Sequence, residues 1–167
     1  KEMGCNSIRV THNPASDELI EACNEQGILV IDEAFDGWMY PKNGNSNDYS
    51  VWFNQTIGAE NEIIGAEEGM TWAQFDLSAM IRRGQNAPSI IMWFLGNEVQ
   101  EGTAYGLNQA YMDTQSKLIS WAQDLDETRP VTRGDNNVKG NTSGMGYNIM
   151  DALSEAGGTV GLNYTVG

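Results

Sequence analysis

The predicted fold is decided by the stretch Ser89-Ile90-Ile91-Met92-Trp93-Phe94-Leu95-Gly96-Asn97-Glu98. Its apolar run is far shorter than the ~20 residues that a membrane-spanning helix needs. A short apolar run of this kind is typical of a parallel β-strand that is buried on both faces. Enzymes built on parallel barrels keep their catalytic groups at the carboxyl ends of such strands. Glu98 therefore occupies a position at which chemistry is expected.

The rest of the chain alternates between short β-rich runs and segments with helical periodicity. Ser16 is a predicted N-cap with Asp17 and Glu18 in the first turn, and Gly27 ends the same helix. Predicted strands cover residues 7–12, 28–31, 89–98, 130–133 and 159–164, and predicted helices cover residues 16–26, 73–83, 105–126 and 149–153. Strands that alternate with helices predict an α/β fold with a parallel sheet.

Five strand–helix steps fit either an open doubly wound sheet or part of a (β/α)₈ barrel, whose full form needs roughly 250 residues. A nucleotide-binding open sheet would carry a glycine-rich turn after one strand. Residues 140–146 contain glycines but match neither common phosphate-binding pattern. A nucleotide ligand is therefore disfavoured. The residues at the strand ends are the remaining sequence evidence that can distinguish the two architectures.

Composition excludes some partners. Nine basic and 23 acidic residues give a net charge of −14, which repels phosphate backbones and anionic lipid surfaces. The sequence has no apolar run of about 18 residues and no leading signal segment. Because the chain starts at Lys1 without Met and stops at Gly167 as a strand pattern finishes, we expect both ends to be internal to a longer protein. Localisation and oligomeric state stay open.

Cysteine and histidine usage predicts no metal site. Cys5 and Cys23 are too few for a disulfide framework and lack zinc-site spacing, so both are expected to be buried thiols. The single histidine, His12, rules out the H-E-x-x-H pattern of zinc proteases.

Polar side chains collect at the predicted strand ends. Arg9 and His12 follow the first strand, and Asp32 and Glu33 follow the second. The remaining strand ends carry Asn97, Glu98, Arg133, Asp135, Asn136, Asn163 and Tyr164. If the strands are parallel, these groups converge on one rim. Such a mixture of acids, amides and cations suits a neutral polyhydroxylated ligand.

Two ambiguities remain at this rim. Asp32 and Glu33 either hold Arg9 in a buried ion pair or contact the ligand. Trp38 and Trp52 either pack within loops or stack on a sugar ring, and Trp38 is taken as a substrate-binding residue, whereas Trp93 is expected in the core. Residues 39–71 show little periodicity, and a loop of this length is usually a lid or binding loop.

Several segments resemble the catalytic barrel of glycoside hydrolase family 2. They are Gly4-Cys5-Asn6-Ser7-Ile8-Arg9-Val10-Thr11-His12-Asn13-Pro14, Ile31-Asp32-Glu33-Ala34-Phe35-Asp36-Gly37-Trp38, the stretch from Met80-Ile81-Arg82-Arg83 to Gly96-Asn97-Glu98, Thr128-Arg129-Pro130-Val131-Thr132 and Gly161-Leu162-Asn163-Tyr164. The resemblance implies a partial (β/α)₈ barrel in which residues 1–167 form a central fragment with barrel strands two to six. One departure is Gly84-Gln85-Asn86-Ala87-Pro88, where the family more often has Asp-Arg-Asn-His-Pro, which weakens a helix-to-strand contact.

The same resemblance implies roles for individual residues. Glu98 matches the acid/base of a retaining mechanism, and Asn97 matches the amide that contacts the sugar 2-hydroxyl. His12 matches a substrate-binding histidine, Arg9 an arginine beneath it, and Tyr164 the tyrosine that touches the nucleophile. Family order places that nucleophile after Gly167, so the isolated chain is expected to be inactive. Some relatives bind Mg²⁺ beside the acid/base, but no ligand set can be assigned from this sequence, and no cofactor is required.

Two classes of function are consistent with these residues. The first is a retaining β-glycosidase, for which Glu33-Ala34-Phe35-Asp36 and Asp135-Asn136-Asn137 resemble β-galactosidases more than β-glucuronidases or β-mannosidases. The second is a carbohydrate-binding or scaffold module that keeps the rim without hydrolysis. A glutamate in a strand-like segment shortly after Gly167 would favour the enzyme.

Overall fold

A computed structural model of the chain describes residues 2–99, 109–136 and 145–164. Within these ranges, five strands form one sheet in the order in which they occur along the chain. They are β1 (Ser7–Arg9), β2 (Leu29–Glu33), β3 (Ile90–Asn97), β4 (Val131–Asp135) and β5 (Thr159–Leu162). Every neighbouring pair is parallel. An unbroken sequential order is that of a (β/α) barrel, since a doubly wound sheet reverses direction at a switch point.

The helices lie between the strands as predicted. The structure contains α1 (Asp17–Gln26), α2 (Ser50–Phe53), α3 (Trp72–Gly84), α4 (Gln109–Leu125), α5 (Met145–Glu155) and a 3₁₀ turn, Lys42–Gly44. The four longer helices confirm the predicted crossovers, although the predicted start of α4 at residues 105–108 lies outside the described residues. The short α2 and the 3₁₀ turn were missed, because a single helical turn leaves no periodic pattern in the sequence.

Local capping explains where the helices begin and end. The Ser16 hydroxyl accepts a hydrogen bond from the Leu19 amide at 3.3 Å, and the Thr71 hydroxyl accepts one from the Gln74 amide at 3.2 Å. Gly27 ends α1 in the left-handed region at φ 63°, where glycine has no steric penalty.

The junction between α3 and β3 depends on a small residue at Gly84. A Cβ atom at this position would lie 2.6 Å from Ile90 Cδ1 and 2.9 Å from Trp93 Cη2. The Arg129 guanidinium donates to the carbonyls of Ala87 and Ile90 at 3.1 and 2.7 Å. The departure from the family pattern at residues 84–88 is thus accompanied by close packing and by these backbone contacts.

One prediction about the cysteines is wrong. Cys23 is buried in the core, and burial raises the pKa of its thiol. Cys5 is exposed, because residues 2–6 precede the first strand and lie on the surface. Among the described helices, none has the length and apolar character needed to cross a membrane.

Candidate active site

The ends of three strands meet at the side chain of Asn97. Its amide oxygen accepts hydrogen bonds from Arg9 Nη2 at 2.9 Å and from Asn163 Nδ2 at 2.8 Å. Arg9 ends β1 and Asn163 follows β5, so these donors come from the two edges of the sheet. In a flat sheet these edges would be roughly 19 Å apart, four strand spacings of about 4.8 Å. Their convergence on one oxygen shows that the sheet is strongly curved, as in a barrel wall.

Glu98 is held between the ends of β4 and β5. Its carboxylate accepts hydrogen bonds from Asn136 Nδ2 at 3.2 Å and from Asn163 Nδ2 at 2.8 Å. Its backbone amide donates to the Gly134 carbonyl at 2.8 Å. The φ angle of Glu98 is 46°, a left-handed conformation that is uncommon for a residue with a side chain. Backbone and side-chain contacts together fix the position of this carboxylate beside Asn97.

Asn163 links the two predicted active-site residues directly. Gly134 leaves room for its side chain, since a Cβ atom on Gly134 would lie 2.9 Å from Asn163 Oδ1. Asn163 and Asn136 are both predicted strand-end residues, but no role was predicted for either of them. The signal was present in the position of each amide immediately after a strand.

A buried carboxylate, Glu33, orients the basic residues of the site. It is fully buried and accepts from Arg9 Nε at 2.9 Å, while His12 Nδ1 lies 2.7 Å from its other oxygen. The Arg9 guanidinium also sits 3.8 Å above the centre of the Phe94 ring. Since Glu33 fixes Nδ1 of His12, the Nε2 atom is directed away from the carboxylate. Of the two alternatives left open for Glu33, the structure supports the ion pair.

Asp32 has a supporting role on the other side of β2. It is fully buried, accepts from the Ala15 amide at 2.8 Å and lies 3.4 Å from Arg83 Nη2. Burial raises the pKa of Asp32, and the contacts with Ala15 and Arg83 offset this only in part. Its basic partner is thus Arg83 and not Arg9.

Lys42 secures the backbone next to Glu98. Its ammonium group donates to the Asn97 carbonyl oxygen at 2.8 Å and pairs with Asp36. No sequence pattern indicates this contact, because Lys42 lies in the segment 39–71, which has little periodicity.

The three tryptophans considered as core or ligand-stacking residues lie in different environments. Trp38 is fully buried, with its indole N–H donating to the Leu95 carbonyl at 3.0 Å and its ring stacked on Tyr111. It presents no face to a ligand, so the expectation that it stacks on substrate is not met. Trp93 is buried as predicted, and Trp52 is 51% exposed. Tyr164 is exposed just after β5.

The remaining strand-end residues are structural. Arg133 is fully buried and donates to Asp135 at 2.8 Å and to Gln115 at 3.0 Å. Among the described residues, no group of three or more histidine, cysteine, aspartate or glutamate side chains is arranged to hold a metal ion.

A family model described as glycosyl hydrolases family 2, TIM barrel domain, matches residues 1–159. This chain belongs to glycosyl hydrolase family 2. The family 2 β-galactosidase BoGH2A of Bacteroides ovatus is 32% identical over 92% of this chain and 19% of its own length. A β-glucuronidase of Streptococcus agalactiae is 30% identical over 79% of this chain and 20% of its own length.

Solved structures agree with this family 2 assignment. A glycosyl hydrolase family 2 member from Bacteroides cellulosilyticus superposes with a TM-score of 0.75 at 32% identity, covering 98% of this chain and 17% of that protein. A β-glycosidase from Bacteroides vulgatus gives a TM-score of 0.62 at 35% identity, covering 81% of this chain and 16% of that protein. The chain thus spans a fifth or less of the length of these relatives.

Proposed function

We propose that the protein containing this chain is a retaining β-glycosidase that hydrolyses terminal β-galactosides, with Glu98 as its acid/base. The observation that carries the proposal is the position of the Glu98 carboxylate, which two side-chain amides hold beside Asn97 at the end of β3. A retaining enzyme needs one carboxyl group that first protonates the leaving-group oxygen and later takes a proton from water. Glu98 is only partly buried, so it can meet both a substrate and a water molecule.

Asn97 is suited to bind the sugar beside this acid. Both acceptor positions of its amide oxygen are occupied by Arg9 and Asn163, which fixes the orientation of the amide plane. Its NH₂ group is then the donor for a ligand hydroxyl, and the resemblance assigns the sugar 2-hydroxyl to it. Hydrogen bonds to this hydroxyl strengthen as the transition state of glycoside hydrolysis develops.

His12 and Arg9 complete the sugar-binding side. The His12 ring is 38% exposed, so a ligand can reach it while Glu33 holds Nδ1. Arg9 supports Glu33 and Asn97 from beneath, with 26% of its side chain exposed. Tyr164 is proposed to contact the nucleophile, which family order places after Gly167.

Preference for a neutral galactoside rests on charge and on relatives. The net charge of this chain is −14, which opposes the approach of an anionic substrate to it. The β-galactosidase BoGH2A matches 92% of this chain, compared with 79% for the β-glucuronidase of Streptococcus agalactiae. Because of that second relative, β-glucuronides are the alternative substrates. The alternative class of function is a non-catalytic carbohydrate-binding module.

Kinetics on the whole protein test this proposal. We expect a nitrophenyl β-galactoside to have a higher kcat/KM than the matching β-glucuronide. Glu98→Gln is expected to reduce hydrolysis by about 10²–10⁴-fold, the usual contribution of general acid–base catalysis. The reduction should be smaller for activated aryl leaving groups, which need little protonation. An equal reduction for all leaving groups would exclude the acid role, and a β-glucuronide preference would exclude the galactoside.

A further inference from the structure

A cavity of about 500 Å³ lies next to the proposed active site. It is bounded by the segments that follow β1 and β2, by residues 48–50 and by one face of α3. Small-molecule sites in proteins typically have volumes of about 300–1,000 Å³. Asn97, Glu98, Asn136 and Asn163 do not line it. The cavity therefore lies apart from the residues that hold the acid/base, although His12 of the proposed sugar-binding side lines it.

Two residues join this cavity to the site. His12 and Asp36 line its wall, and His12 Nδ1 lies 4.0 Å from Asp36 Oδ1. His12 is held by Glu33, and Asp36 pairs with Lys42, which donates to the Asn97 carbonyl. A ligand that contacts His12 from the active site thus has the cavity as its immediate neighbour.

The cavity lies away from the acid/base. The donors that hold the Glu98 carboxylate come from the ends of β4 and β5, whereas the cavity is bounded by segments after β1 and β2. The leaving group departs at the carboxyl that protonates it. In the proposed mechanism, a sugar bound between His12 and Glu98 thus has the cavity on its His12 side and its leaving group on its Glu98 side.

The lining combines apolar surface with hydrogen-bond acceptors. Phe35 and Met80 supply apolar contacts, and Asp48 and Asp76 join Asp36 as carboxylates. Burial raises the pKa of Asp48, but hydrogen bonds from Ser50 and Lys42 outweigh it and hold the pKa below its usual value. Arg83 also lines the cavity, and its guanidinium pairs with Asp17 and Asp32, at 3.4 Å in each case. The ionised carboxylates of the lining accept hydrogen bonds and repel anions.

Tyr49 contributes to the same wall in its neutral form. Burial and its hydrogen bond to Asp76 raise the pKa of the Tyr49 phenol, so it remains protonated and donates to that carboxylate. A ligand with hydroxyl donors and C–H faces matches this lining, and a ligand with a negative charge does not.

We propose that this cavity is a subsite for a neutral saccharide branch carried by the sugar that is cleaved, on the side away from the leaving group. The inference rests on the proposed β-glycosidase function and widens its substrates from terminal galactosyl units to galactosyl units that carry a further neutral sugar. Galactosides whose galactosyl unit bears a neutral sugar are accepted along with unbranched ones, and the branch occupies the cavity.

Substitution of Ala79 tests the subsite. Ala79 is an exposed residue of α3 that lines the cavity, so Ala79→Trp fills it without disturbing the core. Ala22→Trp is the matched control, because Ala22 is an exposed alanine of α1 that lines none of the described cavities. The whole protein is assayed on a plain aryl β-galactoside, on versions with a neutral sugar or a uronic acid on the galactosyl unit, and on lactose.

Ala79→Trp is expected to lower kcat/KM for the neutral branched substrate about tenfold more than for the plain one, and Ala22→Trp is not. The unsubstituted cavity should also favour the neutral branch over the uronic acid branch. Equal losses on every substrate, no loss on any of them, or a loss confined to lactose would each overturn the proposal. The last outcome would assign the cavity to the leaving group.

A binding experiment keeps the subsite separate from the activity. If the unmodified protein hydrolyses none of the four galactosides, the proposed function fails, and calorimetric titration with the branched saccharide then tests the cavity alone. Binding by Ala22→Trp and loss of binding by Ala79→Trp would support the subsite. Equal binding by both variants, or binding by neither variant, would overturn it.

Discussion

Asn163 is the residue on which the geometry of the site depends most directly. One side-chain amide donates to both Asn97 and Glu98, at 2.8 Å in each case. It thereby fixes the distance between the proposed sugar-binding amide and the proposed acid. Without Asn163, the Asn97 side chain would keep only its contact with Arg9, and the Glu98 side chain only its contact with Asn136.

We predict that Asn163→Ala lowers kcat by about 100-fold, comparable to the cost of misplacing a catalytic group by about 1 Å. The loss should be smaller on a 2-deoxygalactoside, because that substrate already lacks the hydroxyl that Asn97 is proposed to bind. Asn136→Ala is the matched control, since Asn136 contacts Glu98 at 3.2 Å and its effect should not depend on the 2-hydroxyl. Steady-state kinetics on both substrates would contradict the prediction if Asn163→Ala changed KM alone.

Among the secondary-structure elements, α3 packs so closely on β3 that Gly84 has no room for a side chain. Gly84→Ala would bring a methyl group to 2.6 Å from Ile90 and 2.9 Å from Trp93. Overpacking of a dense core typically costs about 1–3 kcal/mol. We expect Gly84→Ala to lower the free energy of unfolding by that amount, measured by denaturant titration of the whole protein.

Gly58→Ala is the matched control for this prediction. A methyl group added at Gly58 would have no atom within 4 Å, and the backbone there has no positive φ, so the methyl meets open space. The unfolding free energy of this variant should stay close to that of the unsubstituted protein. Equal effects of the two alanines would show that the contact with β3 is not the cause.

The segment between α4 and β4 carries a pH-dependent contact. Asp126 accepts from Trp93 Nε1 at 3.0 Å and pairs with Arg129 at 2.6 Å. Burial raises the pKa of Asp126, but hydrogen bonds from Thr128, Arg129 and Trp93 outweigh it and lower the pKa to about 2. An unfolded chain has a pKa of about 3.9 at this aspartate. Because the folded pKa is lower, the ionised carboxylate stabilises the fold fully above about pH 3.9. This stabilisation is lost as the pH falls toward 2.

We therefore predict that Asp126→Asn loses less stability between about pH 4 and pH 2 than the unsubstituted protein does. Denaturant titrations at several pH values would measure the difference, with Asp124→Asn as a neighbouring exposed control. Parallel pH curves for all three proteins would show that Asp126 carries no such linkage.

At the scale of the whole molecule, the sequence predicts which residues lie at the strand ends, but it does not predict which side chains those residues contact. The run 89–98 ends as a strand where the apolar pattern stops, and His12, Arg9, Asn97 and Glu98 all follow from strand position. Trp38 was misplaced, because a tryptophan in a polar segment gives the same pattern whether it faces a ligand or packs inward. Lys42 left no signal, since its partner Asn97 is 55 positions away and only the folded chain brings them together.

An exposed sheet edge affects how a polypeptide of residues 1–167 would behave in solution. Val160 and Leu162 on the edge strand β5 are 45% and 46% exposed. Apolar side chains at an unpaired edge strand favour association with other chains. A polypeptide of residues 1–167 is thus expected to be prone to self-association.

We predict that residues 1–167 expressed alone do not turn over a chromogenic β-galactoside, while the whole protein does. Retention requires two carboxyl groups about 5–5.5 Å apart, and the resemblance places the second one after Gly167. Loss of one member of a catalytic pair removes most of the rate enhancement. The comparison uses equal molar concentrations and circular dichroism to show that the short polypeptide is folded. Turnover by a folded 1–167 polypeptide at a rate near that of the whole protein would mean that the nucleophile lies within this chain.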